Sequence, residues 1–175
     1  MDAILSAATS LTGTNCAYSN SARTIDVTND TAVAFAQALI QKYIDYFAGN
    51  CKYFNIGADE YANDRTNGFS DLISSNKYGS FVSYVNSIAD ASTSAGMTPM
   101  AFNDGIYYAS KTGFGTFRTS IVVCYWTSGW TGYTPAAATF LTERGHKILN
   151  TNDAWYYVLG RAAGNSSGYT IATAT

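Results

Sequence analysis

The sequence predicts an α/β fold, a parallel sheet with outer helices that makes up about half of a TIM (β/α)8 barrel. Three observations predict it. Helical and strand patterns alternate along the 175 residues. The strands are short and apolar, as buried parallel strands are. Each strand closes on polar or aromatic residues: Asp59-Glu60, Asn103-Asp104, Tyr125-Trp126, and Asn150 to Tyr156. Such groups, collected at the C-terminal ends of parallel strands, define one working face. About four strands fall short of the eight that close a barrel, which typically takes about 250 residues. The chain is therefore expected to form a single, incomplete domain over residues 1–175, running from just after a barrel's third strand to just after its seventh.

The elements follow in order. Residues 2–10 have a helical pattern, and 11–30 are polar and loop-like around a short TIDV stretch at 24–27. Asn29-Asp30-Thr31 can cap a helix over about 32–48, whose apolar positions Val33, Phe35, Ala36, Leu39, Ile40, Tyr43, Ile44 and Phe47 recur at helical spacing. Gly49-Asn50 stops it. A strand over 52–57 opens into the carboxylate pair, and 61–77 reads as a long polar loop. A helix over about 78–94 places Phe81, Tyr84, Val85, Ile88 and Ala89 on one face. Strands follow at 97–104 and 120–126; the second, SIVVCYW, is apolar enough for burial on both faces. Pro135 opens a helix to about 144, and HKILN at 146–150 is the last clear strand.

Composition narrows the function classes. A net charge of -2 gives no electrostatic footprint for nucleic acid. No apolar run is long enough to span a membrane, and the N-terminal residues do not read as a signal peptide. Charged residues are only 13%, with tyrosine, glycine and small polar residues making up the difference. Such a surface is found on secreted or cell-surface bacterial proteins that handle sugars, and equally on an ordinary acidic domain. The cysteines Cys16, Cys51 and Cys124 have no metal-like spacing. Cys124 lies in an apolar strand and is expected to pack there, while a Cys16–Cys51 disulfide stays open. The single histidine, His146, leaves few options for a triad or a zinc site and is expected at the surface or capping a helix.

The run KYFNIGADEYAND at 52–64 carries the chemistry. Adjacent carboxylates at a strand end are the usual tool for breaking a glycosidic bond. Four segments resemble glycoside hydrolase family 20, the β-N-acetylhexosaminidases, most closely the bacterial cell-wall-anchored exo-β-N-acetylglucosaminidases. They are FNIGADEYAND at 54–64, MTPMAFNDGIYY at 97–108, VVCYWTSGWTGY at 122–133 and GHKILNTNDAWYYVLG at 145–160, in the family's order.

The resemblance implies a retaining reaction without a protein nucleophile, in which the 2-acetamido oxygen of the sugar attacks the anomeric carbon. Glu60 then matches the general acid/base, with a pKa raised by its surroundings. Asp59 matches the ionised residue that orients the acetamido group. Trp126 matches the aromatic wall around the sugar, and Tyr156 the hydroxyl that holds the acetamido oxygen. Trp130, Trp155 and Asp153 are pocket or rim candidates, although the two indoles Trp126 and Trp130 equally suit a core. Asn103 and Asp104 either support the carboxylates from behind or cap the next turn. Tyr107 and Tyr108 either line an aglycone site or pack.

No metal or organic cofactor is implied. The expected partners are N-acetylhexosamine-containing glycans, not nucleic acid or membrane. Two open strand edges lead us to expect self-association as a homodimer. Three departures from the family pattern stand out. Val158 occupies a place that is often acidic or amide, and Phe102-Asn103-Asp104 stands where a tryptophan is common. The segments that carry the sugar-gripping arginine and the last pocket tryptophan have no counterpart. The resemblance also leaves open a catalytically silent half barrel or a disaccharide-releasing lacto-N-biosidase.

Overall fold

The computed structural model describes residues 2–152. Four strands, β1 (Tyr53–Asn55), β2 (Thr98–Phe102), β3 (Val122–Tyr125) and β4 (Ile148–Asn150), pair in parallel in chain order. Five helices accompany them: α1 (Asp2–Thr12), α2 (Asp30–Phe47), α3 (Gly68–Ser74), α4 (Tyr78–Ser94) and α5 (Ala138–Glu143). This is the parallel β/α architecture expected from the alternation, with four of the eight strands that close a barrel.

Local chemistry explains the helix boundaries. The Asn29 side chain accepts hydrogen bonds from the amides of Thr31 and Ala32 and so starts α2. Of the expected α2 stripe only Ala36 and Ile44 are buried, Ala32 is buried beside it, and Tyr43 and Phe47 reach solvent. Helix α4 follows its pattern closely: Phe81, Val85, Ile88 and Ala89 are buried and Tyr84 is half-buried.

The polar loop expected over 61–77 contains α3. Its seven residues place Phe69 and Leu72 fully inside, three apart on one face, with Asn67 capping the amide of Ser70. One short turn of that kind gives almost no periodic signal. A second correction concerns His146, which is buried rather than at the surface; its Nδ1 lies 3.2 Å from the Ile121 carbonyl oxygen. The three cysteines are free thiols, with Cys16 and Cys124 buried and Cys51 exposed.

The helices cover one face of the sheet, where Pro99, Ala101 and Val123 are buried. The opposite face is partly open: Tyr53 and Leu149 are exposed, Val122 is half-buried, and Cys124 is buried. The two-sided burial expected of the third strand therefore holds at only some of its positions. An aromatic cluster of Phe69, Tyr78, Phe81, Tyr108 and Phe117 forms the main core beneath the strand ends.

Candidate active site

The site begins where β1 ends. Gly57, Ala58, Glu60 and Ala62 all have positive φ, so the chain coils tightly and presents Asp59 and Glu60 at the sheet's C-terminal edge. Non-glycine residues enter this region at a cost, and three of them within five residues must be held by their surroundings. The holding contacts are specific. The Glu60 amide donates to Asp104 Oδ2 at 2.8 Å. The Ala62 amide donates to Thr24 Oγ1, and the buried Tyr61 hydroxyl donates to the Ile25 carbonyl while accepting from the Val27 amide. Gly105 is required for close approach: a Cβ there would collide with the Ala58 carbonyl oxygen and come within 2.9 Å of the Phe69 and Phe81 rings.

Asp59 lines a largely apolar cavity of about 300 Å³ together with Ile25, Ile56, Tyr61, Phe81 and Arg23. Its side chain still meets solvent. The surrounding protein nonetheless disfavours its charge and raises its pKa, while its own backbone amide and Arg23 pull the other way. Glu60 is partly buried, and its Oε1 accepts a 3.1 Å hydrogen bond from the Asn63 amide group.

Asn103 and Asp104 follow β2 and are completely buried. Asp104 bonds the carboxylate loop, whereas the side chain of Asn103 bonds only the end of β3. Asn103 donates to the Thr127 carbonyl and accepts from the Trp126 amide, tying the end of β2 to the end of β3. Asp104 accepts three hydrogen bonds, from the Glu60 amide, the Trp126 indole at 2.9 Å and the Tyr133 hydroxyl at 2.7 Å. Burial raises its pKa, and these three donors oppose the rise.

Trp126 and Trp130 lie at the end of β3 with ring centroids 6.2 Å apart, and Trp130 is 44% exposed. Tyr107 and Tyr108 are buried packing residues. Asp59, Glu60, Asn103, Asp104, Trp126 and Trp130 thus meet at one end of the sheet. Asp153, Trp155 and Tyr156 lie outside the described residues. Sequence reasoning missed Tyr133, which is 3% exposed and stacked flat on Trp130 at 4.1 Å. The signal that marks it is the spacing of Gly129 and Gly132, both at positive φ, which closes the tight turn between Trp130 and Tyr133. Among the described residues no group of three or more His, Cys, Asp or Glu could hold a metal ion, and no helix is long and apolar enough to cross a membrane.

Paired carboxylates beside two indoles at the C-terminal edge of a parallel β/α sheet are the arrangement expected of a glycoside hydrolase of the barrel class. The comparisons agree and narrow the class. Residues 2–174 match the catalytic domain of glycosyl hydrolase family 20, and the chain belongs to that family. It is similar to solved structures of the pneumococcal virulence factor StrH, an exo-β-D-N-acetylglucosaminidase with tandem catalytic modules of this family. The identity is 41% and the TM-score 0.87, over 97% of this chain and 42% of that one. The chain therefore spans 42% of the length of that relative. Dispersin B, at 24% identity and TM-score 0.58 over 77% of this chain and 38% of its own, shares the fold. So does a β-N-acetylhexosaminidase from Bacteroides fragilis, at 16% and 0.58 over 84% of this chain and 30% of its own.

Proposed function

We propose that the chain carries the acid/base side of a β-N-acetylhexosaminidase site, releasing terminal β-linked N-acetylhexosamine from glycans with retention. The observation that carries this reading is the single polar linkage from the Glu60 amide through Asp104 to the Trp126 indole. It brings the end of one strand beside the end of another, two neighbours away.

In this reading Glu60 protonates the leaving oxygen and later takes a proton from water. Asp59 orients the acetamido nitrogen and balances its developing charge, so the reaction uses its ionised form. Trp126 packs against the sugar's C–H face and Trp130 extends that wall. Asn103 and Asp104 line the pocket from behind. Tyr156 holds the acetamido oxygen that serves as nucleophile, and Asp153 and Trp155 complete the rim. The substrate supplies the nucleophile, so these roles call for no cofactor. The 41% identity to a pneumococcal virulence factor supports a secreted or cell-surface parent enzyme.

The test is incubation of the purified chain with a chromogenic N-acetylglucosaminide. Glu60→Gln is expected to lower turnover by about 10²–10⁴-fold with little change in melting, the range of general acid catalysis. Turnover that survives this substitution overturns the assignment. The share of its relative that the chain spans favours one other reading, a folded, silent half barrel that binds N-acetylglucosamine without cleaving it.

The outer positions of β1 and β4 in the four-strand order support pairing of two copies through these edges. Light scattering is expected to give twice the chain mass; a sharp monomer peak with a cooperative melt contradicts it.

A further inference from the structure

Asp104 gathers donors from three segments. The Glu60 amide belongs to the loop after β1, the Trp126 indole to the end of β3, and the Tyr133 hydroxyl to the turn beyond it. Two of these donors belong to residues that the proposed reaction uses. The third does not, and its ring is buried and stacked. Tyr133 is stacked on Trp130 with an interplanar angle of 2°, set edge-on to Tyr108, and packed near Phe69.

We propose that Tyr133 is a positioning residue of this site, acting through Asp104 to hold both the left-handed backbone at Glu60 and the indole plane of Trp126. The inference rests on the roles given above to Glu60 and Trp126. Its physical basis lies in how Asp104 is satisfied. A carboxylate offers about four acceptor positions and no donor. Here Oδ2 accepts from both Glu60 and Tyr133, and Oδ1 accepts from Trp126. All three are charge-assisted bonds to a fully buried anion.

Removing the phenol oxygen takes away one donor that no water can readily replace inside this packing. The carboxyl is then free to rotate, or to take up a proton. A proton on Oδ2 would face the Glu60 amide, donor against donor. Either change loosens the bond that keeps Glu60 at φ 46. Rotation also carries Oδ1 away from the indole. The effect of Tyr133 thus reaches two functional residues that it does not itself bond.

The experiment is hydrogen exchange by NMR on the intact chain and its Tyr133→Phe variant, read at the Glu60 amide and the Trp126 indole. Both are expected to exchange about tenfold faster in the variant, the loss of roughly one hydrogen bond. The Val123 amide, bonded to the Lys147 carbonyl in the sheet, is expected to keep its rate. N-acetylglucosamine affinity, titrated on the same samples, is expected to fall by a similar factor. Unchanged exchange at Glu60 and Trp126 overturns the proposal, as does acceleration spread equally to Val123, which would mark a merely structural role. Asp104→Asn gives a second variant with the same two reporters. If the parent chain binds no sugar, the functional reading fails, while the exchange rates still decide the linkage.

Discussion

The loop after β1 and the helix-covered core below it are built on opposite principles. Helix α4 uses ordinary helical backbone and buried rings, with Phe81 stacked on Tyr78 and set against Phe69 and Phe117. The loop from Gly57 to Ala62 uses unfavourable backbone and is held by polar contacts and by the close seating of Gly105. The core supplies free energy through burial, and the loop spends some of it on the placement of two carboxylates. Stability and site geometry should therefore respond to different substitutions.

The largest expected effect tests the core. Phe81→Ala should destabilise the chain by about 3–5 kcal/mol, read as a fall in melting temperature or denaturant midpoint. A loss below about 1 kcal/mol would break the division of labour. Gly105→Ala attacks the boundary between the two regions. Its methyl group displaces the Ala58 carbonyl and is expected to cost about 1–3 kcal/mol. Because Ala58 precedes the carboxylates, activity or sugar affinity should fall further than stability alone accounts for. Equal losses in both would show that the loop is not separately tuned.

The smallest effect concerns pH. Burial lowers the pKa of His146 below its ordinary 6.5 by disfavouring the imidazolium. The unfolded chain therefore takes up this proton first. Its contribution to stability is complete above about pH 6.5 and is lost as the pH falls from there toward the depressed folded value. Asp59 and Asp104, whose pKa values are raised, carry the opposite sign and cost stability as pH rises through their folded values. Melting curves at pH 7.5 and 5 for the parent and His146→Gln isolate the histidine. The parent should lose more on acidification, and an equal loss in both would remove His146 from the account.

The same contrast explains what was legible in the sequence. Elements made by periodicity and caps were readable: α4 from its stripe, α2 from Asn29, and the strands from their apolar runs. The carboxylate pair was readable because its residue types and place at a strand end carry chemistry on their own. Helix α3 was not, since Phe69 and Leu72 supply a single turn's spacing. His146 was misplaced because a polar residue beside a strand reads as exposed until a carbonyl is found for it. Asp104 was seen but its role stayed divided, because its three donors come from positions 60, 126 and 133, a convergence that only the folded chain provides. The raised pKa of Asp59 was not legible either, because the burial that causes it comes from segments distant in sequence, among them Ile25 and Phe81.

The strand order has a further consequence. Within the described residues each strand bonds only to its predecessor and successor along the chain. Such a sheet can be laid down in the direction of synthesis, each new β/α unit docking on the edge left by the last. The Asp104 linkage closes only when the segment through Tyr133 has emerged, so during translation the carboxylate loop must wait, incompletely anchored, until some seventy residues after Glu60 have left the ribosome.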